Sequence, residues 1–161
     1  MPVFAPTNNP NDTSDQTVNN IDFFPDIKVA DFRKATRSQD SVTDGRVIEA
    51  LRSAVITVNN QLSTWKAEQI VLTYASLADV PSDDYGIDAQ SPYSELTHHY
   101  LTAVYSFTKA LLLEKFRDIG TTSEGNQRAD DFEQNEEAYR REARKSIRKI
   151  LDKPFVSIEL I

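Results

Sequence analysis

The residues best suited to chemistry in this sequence are two adjacent histidines, His98 and His99, and the glutamate at Glu95. Glu95 and His99 are four residues apart, so one helix face would bring a carboxylate and an imidazole together for acid–base chemistry. His98 points about 100° away from His99 on the same helix, and no third ligand is evident. Because a working metal site needs three or more protein ligands, we expect no metal here.

Other signatures of catalysis or cofactor binding are missing from the sequence. It has no cysteine, which excludes disulfides and cysteine–zinc sites, and its four glycines are scattered rather than gathered in a phosphate-binding loop. The acidic cluster Asp79, Asp83, Asp84 and Asp88 lacks the spacing of an EF-hand, so calcium is not expected. The sequence therefore predicts a protein that is not an enzyme and carries no cofactor, with a small helical enzyme using Glu95 and His99 as an alternative.

The composition limits the classes of partner. The chain has 161 residues, enough for one domain with a core, and a net charge of −7 from 25 acidic and 18 basic residues. A net acidic chain is a poor candidate for tight binding to nucleic acid through phosphate neutralisation. No apolar run approaches the roughly 20 residues of a membrane span, and the first residues lack a secretory pattern.

The elements that must position these residues are helices. The stretch 93–119 lies between Pro92 and Gly120 and carries an apolar stripe too wide for a surface helix, which predicts a central, mostly buried helix. Thr43 begins a second amphipathic helix that runs to about Gln69 or Leu72. We therefore expect an all-α fold of three main helices plus a short N-terminal one, with these approximate spans: 29–36, 43–69, 93–119 and 127–151.

The two ends of the chain differ from this helical part. We expect an N-terminal arm at 1–22, a helical domain at 23–152, and a C-terminal extended segment at 153–161. The arm is polar and could not bury enough apolar surface to fold alone. In the last segment Val156, Ile158 and Leu160 alternate with polar residues, which is a strand pattern whose backbone groups need a partner within the chain or on a neighbour.

These features suggest three groups of partner-binding residues. The first is the aromatic pair Phe23 and Phe24, for which the alternatives are that one ring packs in the core, which burial preferences favour, or that one ring anchors to a neighbour. The second is Arg141 and Arg144, in the basic half of the last helix. That helix has acidic residues first and basic residues last, with Glu136–Arg140 and Glu137–Arg141 as favourable pairs, so a solvated, self-stabilising face is the alternative. The third group is the apolar residues of the C-terminal segment: Val156, Ile158, Leu160 and Ile161.

Several strings resemble the head completion protein family of tailed phages, the GpL type. They follow the family's order over residues 23–161: FFPDIKVADF at 23–32, TDGRVIEAL at 43–51, VNNQL at 58–62, YASLADVP at 74–81, YLTAVYSFTKALLLEKFRDIGTT at 100–122 and VSIELI at 156–161. No single string is diagnostic, but together they are fairly specific.

The resemblance implies a structural virion protein made in the host cytoplasm during assembly. As a head–tail connector it would form a homo-oligomeric ring below the portal protein after DNA packaging. The ring would retain the genome and give the tail terminator or neck protein a docking surface, while genomic DNA passes through the channel without sequence-specific binding. The alternative is a helical nucleic-acid-binding adaptor or regulator that uses the basic half of the last helix.

Overall fold

The computed structural model describes residues 16–36, 42–89, 91–117 and 125–152, apart from the side chains of 116–117 and 125–134. None of the described helices is long and apolar enough to cross a membrane. In chain order the elements are β1 (Thr17–Val18), β2 (Ile27–Lys28), α1 (Val29–Thr36), α2 (Asp44–Gln61), α3 (Ser63–Val71), a 3₁₀ turn (Leu77–Asp79), α4 (Glu95–Arg117) and α5 (Gly125–Ile150).

The prediction of an all-α fold with three main helices and a short one is wrong. The described residues contain five α-helices and a two-stranded antiparallel sheet, in which Thr17 pairs with Lys28 and Val18 with Ile27. Each strand has only two residues, which is too short for an alternating pattern to be visible in the sequence. Val18 and Ile27 are both buried, so the sheet closes one side of the core. The predicted C-terminal strand lies outside the described residues.

The predicted second helix is divided at Leu62 into α2 and α3. The side chain of Leu62 is fully buried, while its backbone (φ −96°, ψ 3°) departs from the helical region. Its carbonyl still accepts a hydrogen bond of 2.8 Å from the backbone N–H of Lys66. Helix α3 has no buried residue, and Trp65 is its contact with the core, as a partly buried side chain. The apolar spacing continues through the bend, so periodicity alone could not reveal it.

Helix α4 is central, as predicted, and packs against both α2 and α5. Its fully buried positions include Tyr100, Ala103 and Val104, while Leu111 is only partly buried at the edge of the core. From α2 the core receives Val47, Leu51 and other small or branched side chains, and from α5 it receives Ala143, Ile147 and Ile150. Burial of these apolar surfaces is the main force that holds the three helices together.

A buried charge pair joins α1 to the start of α2. The guanidinium of Arg33 hydrogen-bonds the carboxylate of Asp44 and donates a second bond of 2.8 Å to the carbonyl of Val42. Only 14% of the Arg33 side chain and 10% of the Asp44 side chain are exposed. Asp44 also lies in the first turn of α2, where the helix dipole favours an anion. The pair therefore fixes how α1 leaves the helical body.

Candidate assembly surfaces

The aromatic pair Phe23–Phe24 lies inside the chain. Phe23 is 5% exposed and Phe24 is 4% exposed. The ring of Phe24 stacks on Tyr100 with a centroid distance of 4.6 Å, and Phe23 meets Trp65 edge-to-face at 6.2 Å. This is the core-packing alternative, so neither ring is on the described surface. A partner-binding role for either residue stays an untested prediction.

The two arginines proposed for partner binding are both exposed on α5, but their pairing differs from the expected one. Glu137 forms an ion pair with Arg144, two turns along the helix, instead of the predicted pair with Arg141. Among the described residues Arg141 has no ion pair. The predicted Glu136–Arg140 pair is confirmed, with 2.9 Å between Oε1 and Nε.

Arg140 also connects two helices. Its Nη2 lies 2.9 Å from Oε2 of Glu114 on α4, while its Nε bonds Glu136 on its own helix. Arg140 therefore links α5 to α4, whereas the side chain of Arg141 is exposed to solvent.

The remaining predicted partner-binding residues are those of the C-terminal segment. Val156, Ile158, Leu160 and Ile161 lie outside the described residues, so their role stays a prediction. The last described residue, Asp152, follows the end of α5 and has a positive φ of 50°. Such a backbone angle after the last helical turn ends the helix there.

The histidine and acidic clusters are accounted for by local contacts. His99 Nε2 lies 3.3 Å from Glu95 Oε1, and the rings of His98 and His99 meet edge-to-face at 5.5 Å. In the part of the chain that the structure describes, no group of three or more His, Cys, Asp or Glu side chains could hold a metal. Asp79 caps the 3₁₀ turn through Ser76, so it is part of a turn rather than of a ligand set.

The long connection before α4 is a closed loop that presents apolar residues to solvent. Oδ1 of Asp84 accepts hydrogen bonds of 2.8 Å from the backbone N–H groups of Gly86 and of Tyr93, and these bonds lower the pKa of the carboxyl. Asp84 also forms a β-bridge with Ser94. At the far end of this loop Ile87 is 97% exposed. We call residues 81–94 the pinned loop.

Gly86 explains why the pinned loop can close so tightly. A Cβ atom at this position would lie 2.3 Å from the carbonyl oxygen of Ser91 and 3.0 Å from Cα of Pro92. Real Cβ atoms do not approach other heavy atoms so closely, so only glycine fits. Exposure within an irregular loop has no periodic signal, so the sequence alone does not single out Ile87.

A second apolar surface lies at the end of α3, in three successive residues, Ile70, Val71 and Leu72, that are all more than half exposed. Thr73 follows with a φ of 75° and donates to Ile70, while Tyr74 donates to Gln69. These two bonds form a Schellman motif, which usually has glycine at the position of Thr73. We call residues 70–72 the α3 tip. The end of the second helix predicted from the sequence falls here, and a helix end does not by itself predict this exposure.

Comparison with known proteins places this architecture in a family. The phage head completion protein (GPL) family matches over residues 18–161. The head completion/stabilization protein of Escherichia phage P2 is 30% identical over 137 residues, which cover 85% of this chain and 78% of that relative. No solved structure gives a significant match. The resemblance seen in the sequence is confirmed: the chain belongs to the phage head completion protein family, a family of structural virion proteins.

Proposed function

We propose that this chain completes the head as a subunit of a ring below the portal protein, formed after DNA packaging in the host cytoplasm. In the virion the ring retains the genome and offers the docking surface for the tail terminator or neck protein. Genomic DNA passes through the channel of the ring without sequence-specific contacts.

The observation that carries the ring is the pair of apolar surfaces on a body that already has a closed core. The pinned loop exposes Ile87 and Tyr85, and the α3 tip exposes three adjacent apolar side chains. Contiguous exposed apolar surface is typical of protein–protein contacts. A ring with one kind of subunit needs two different surfaces on each copy, because its contacts run head to tail. Two separate apolar surfaces suit that requirement.

The charge of the chain supports passage of DNA rather than tight binding. A net charge of −7 repels a phosphate backbone, so the wall of a channel lined by such subunits would not bind the passing DNA tightly through counterion release. Arg141, which has no ion pair among the described residues, belongs to a local basic region of α5, which suits a protein partner with acidic side chains.

The C-terminal segment supplies a further contact in this proposal. Val156, Ile158 and Leu160 would form one face of a strand added to a neighbouring subunit, with main-chain hydrogen bonds for affinity. Deletion of Val156–Ile161 should leave the helical content of the isolated chain nearly unchanged but prevent its incorporation into heads. Circular dichroism tests the first expectation, and electron microscopy of complemented particles tests the second. If the deletion unfolds the isolated chain, the segment packs within its own subunit.

The experiment that tests the ring contact is Ile87→Asp, compared with Ile56→Asp on the exposed side of α2. Ile56 is 61% exposed, so both changes put a charge on an accessible isoleucine. Neither should change the free energy of unfolding by more than about 0.5 kcal/mol, as is usual for surface substitutions. We expect Ile87→Asp to leave filled heads that lose DNA or fail to join tails, whereas Ile56→Asp should give normal particles.

The light-scattering mass of the purified protein, with and without the portal protein, provides the independent measurement. The wild-type chain and Ile56→Asp should bind the portal as a multimer, and Ile87→Asp should not. Normal infectious yield and normal portal binding by Ile87→Asp would remove the pinned loop from the interface.

A further inference from the structure

A groove runs along the middle of α5, and its first part lies between α5, the C-terminal end of α1 and the middle of α4. It consists of two adjoining clefts of about 290 Å³ and about 620 Å³, which share Tyr139 and Glu142 in their walls. Tyr105 of α4 and Tyr139 of α5 line the first cleft, and Arg141 and Lys145 line the second. We call this the tyrosine groove.

The tyrosine groove is positively charged in an otherwise acidic chain. Lys109, Arg141 and Lys145 line it, against one carboxylate, Glu142, that accepts a hydrogen bond of 3.0 Å from Ser106. Among the described residues neither Arg141 nor Lys145 has an ion pair. Lys109 Nζ lies 5.9 Å from the centroid of the Tyr139 ring, so a cation and an aromatic face are presented together. The groove is therefore complementary to an acidic ligand with an apolar part.

The walls of the groove determine the backbone conformation of such a ligand. The walls formed by described residues are helices, whose backbone N–H and C=O groups are already bonded within each helix. A strand would find no main-chain partner here, which argues against the strand-patterned C-terminal segment as the occupant. A polyproline II segment needs no main-chain partner, and such segments bind in grooves lined by aromatic rings.

Residues 1–15 have the composition that this groove requires. Their sequence is MPVFAPTNNPNDTSD, with prolines at 2, 6 and 10, two aspartates and no lysine or arginine. Val3 and Phe4 supply apolar side chains, and Asp12 and Asp15 supply negative charge. Prolines at these intervals disfavour both a helix and a central strand, which leaves an extended conformation as the one available for binding.

The place where this segment joins the body allows it to reach another subunit. The carbonyl of Gln16 accepts a hydrogen bond of 3.0 Å from Val29 N–H, so the residue to which the segment is joined lies at the start of α1. The groove lies at the other end of α1, which is about 12 Å long for its eight residues. An extended chain of this length spans roughly 50 Å, several times that distance. The segment is thus long enough to cross to a neighbour.

We propose that the tyrosine groove of one subunit binds residues 1–15 of the neighbouring subunit, as an extended acidic peptide with Phe4 as its apolar anchor. This inference rests on the proposed ring, since it requires copies of the chain side by side. The exchange of arms joins each subunit to the next, and it uses a surface different from the pinned loop and the α3 tip.

Disulfide trapping tests this contact, because the chain has no cysteine of its own. Val3→Cys and Ala138→Cys chains, each with one cysteine, are produced together during head assembly, and purified filled heads are oxidised. Ala138 is an exposed residue of the groove wall. The expected product is a covalent heterodimer, identified by its mass. Ile56→Cys replaces Ala138→Cys in the control, where we expect little heterodimer.

A charge exchange tests the recognition. Arg141→Glu with Lys145→Glu should lower the rate of trapping by roughly fivefold, and Asp12→Arg with Asp15→Arg in the partner chain should restore it. Equal trapping at Ala138 and Ile56, or the same rate after charge reversal, would overturn the proposal. The proposal would also be overturned if a chain that carries both Val3→Cys and Ala138→Cys formed only an internal disulfide. Electron microscopy of the same heads distinguishes failure of the groove contact from failure of the proposed function. A ring without disulfide trapping refutes only the groove contact. Heads without a ring refute the proposed function.

Discussion

The hydroxyl group of Tyr100 donates a hydrogen bond of 2.7 Å to Oδ1 of Asn59, which joins the central helix α4 to α2. Asn20 closes a ring of three side chains: its Nδ2 donates to the Tyr100 hydroxyl at 2.7 Å, and its Oδ1 accepts from Asn59 Nδ2 at 2.8 Å. The N-terminal segment from Gln16 is therefore locked to both helices. Since Phe24 stacks on the same tyrosine, polar and aromatic contacts meet at one residue.

The first prediction is that Tyr100→Phe lowers the free energy of unfolding by about 1–3 kcal/mol. The variant keeps the ring that packs on Phe24 but leaves the carbonyl of the Asn59 side chain without its donor, and an unsatisfied buried group costs that amount. Urea unfolding followed by circular dichroism measures it. Tyr85→Phe is the matched control, because Tyr85 is 65% exposed and its hydroxyl is solvated. Equal midpoints for the two variants would show that the ring of three side chains contributes nothing.

The second prediction concerns alkaline pH. Burial raises the pKa of Tyr100 well above the usual value of 10, and burial together with the charge of Asp31 raises the pKa of Tyr105 to about 12. Above about pH 10 the unfolded chain loses these protons while the folded chain keeps them, so stability falls as pH rises. The stability that the two neutral tyrosines contribute is fully present below about pH 10. It is lost as the pH rises towards their pKa values in the folded chain.

Urea unfolding at about pH 9 and about pH 11 tests this expectation. The wild type should lose up to about 1.4 kcal/mol per pH unit through Tyr100, with a smaller loss through the more exposed Tyr105. Tyr100→Phe should lose less than the wild type over the same interval. An identical loss in both proteins would assign the alkaline effect to other groups.

Part of this architecture can be predicted from the sequence, because it depends on regular spacing. The apolar stripe of the central helix is visible in the sequence, and Pro92 shows where the helix begins. The bend at Leu62 cannot be seen, since the apolar spacing continues through it. The same holds for Asn20, Asn59 and Tyr100, which meet only after folding and share no sequence pattern.

The candidate surfaces were predictable to a different extent. The exposure of the arginines of α5 follows from helical periodicity. Whether Glu137 pairs with Arg144 or with Arg141 depends on the conformations of these long side chains, which periodicity does not predict. The exposure of Ile87 depends on a loop closed by Asp84 and Gly86. The burial of Phe23 and Phe24 follows from the general preference of aromatic rings for the core.

The third prediction is that Thr73→Gly stabilises the chain by about 0.5–1 kcal/mol. Thr73 has a φ of 75°, a left-handed conformation that is costly for a β-branched residue and free of steric cost for glycine. Thr73→Ala is the control, since it keeps the Cβ that causes the strain. Thermal melts of the three proteins decide the matter. A Thr73→Gly variant no more stable than Thr73→Ala would mean that the strain is relieved elsewhere.

The fourth prediction concerns the basic face of α5. Arg141→Glu with Arg144→Glu should leave the fold intact, because both side chains are exposed and the Arg144–Glu137 pair is a surface pair worth about 1 kcal/mol or less. If these arginines contact a partner, joining of heads to tails should fall and become sensitive to salt. Infectious yield at two ionic strengths measures this. Arg52→Glu on α2 is the control, and an equal yield for both would make the α5 face a solvated surface.

The measurement that tests the central proposal most directly is cryo-electron microscopy of filled heads before tail attachment. The proposed function predicts density for this chain as a closed ring in contact with the portal, on the side where the tail attaches, with the pinned loop between adjacent subunits. Density for the chain on the shell away from the portal, or single copies without contact to one another, would contradict it.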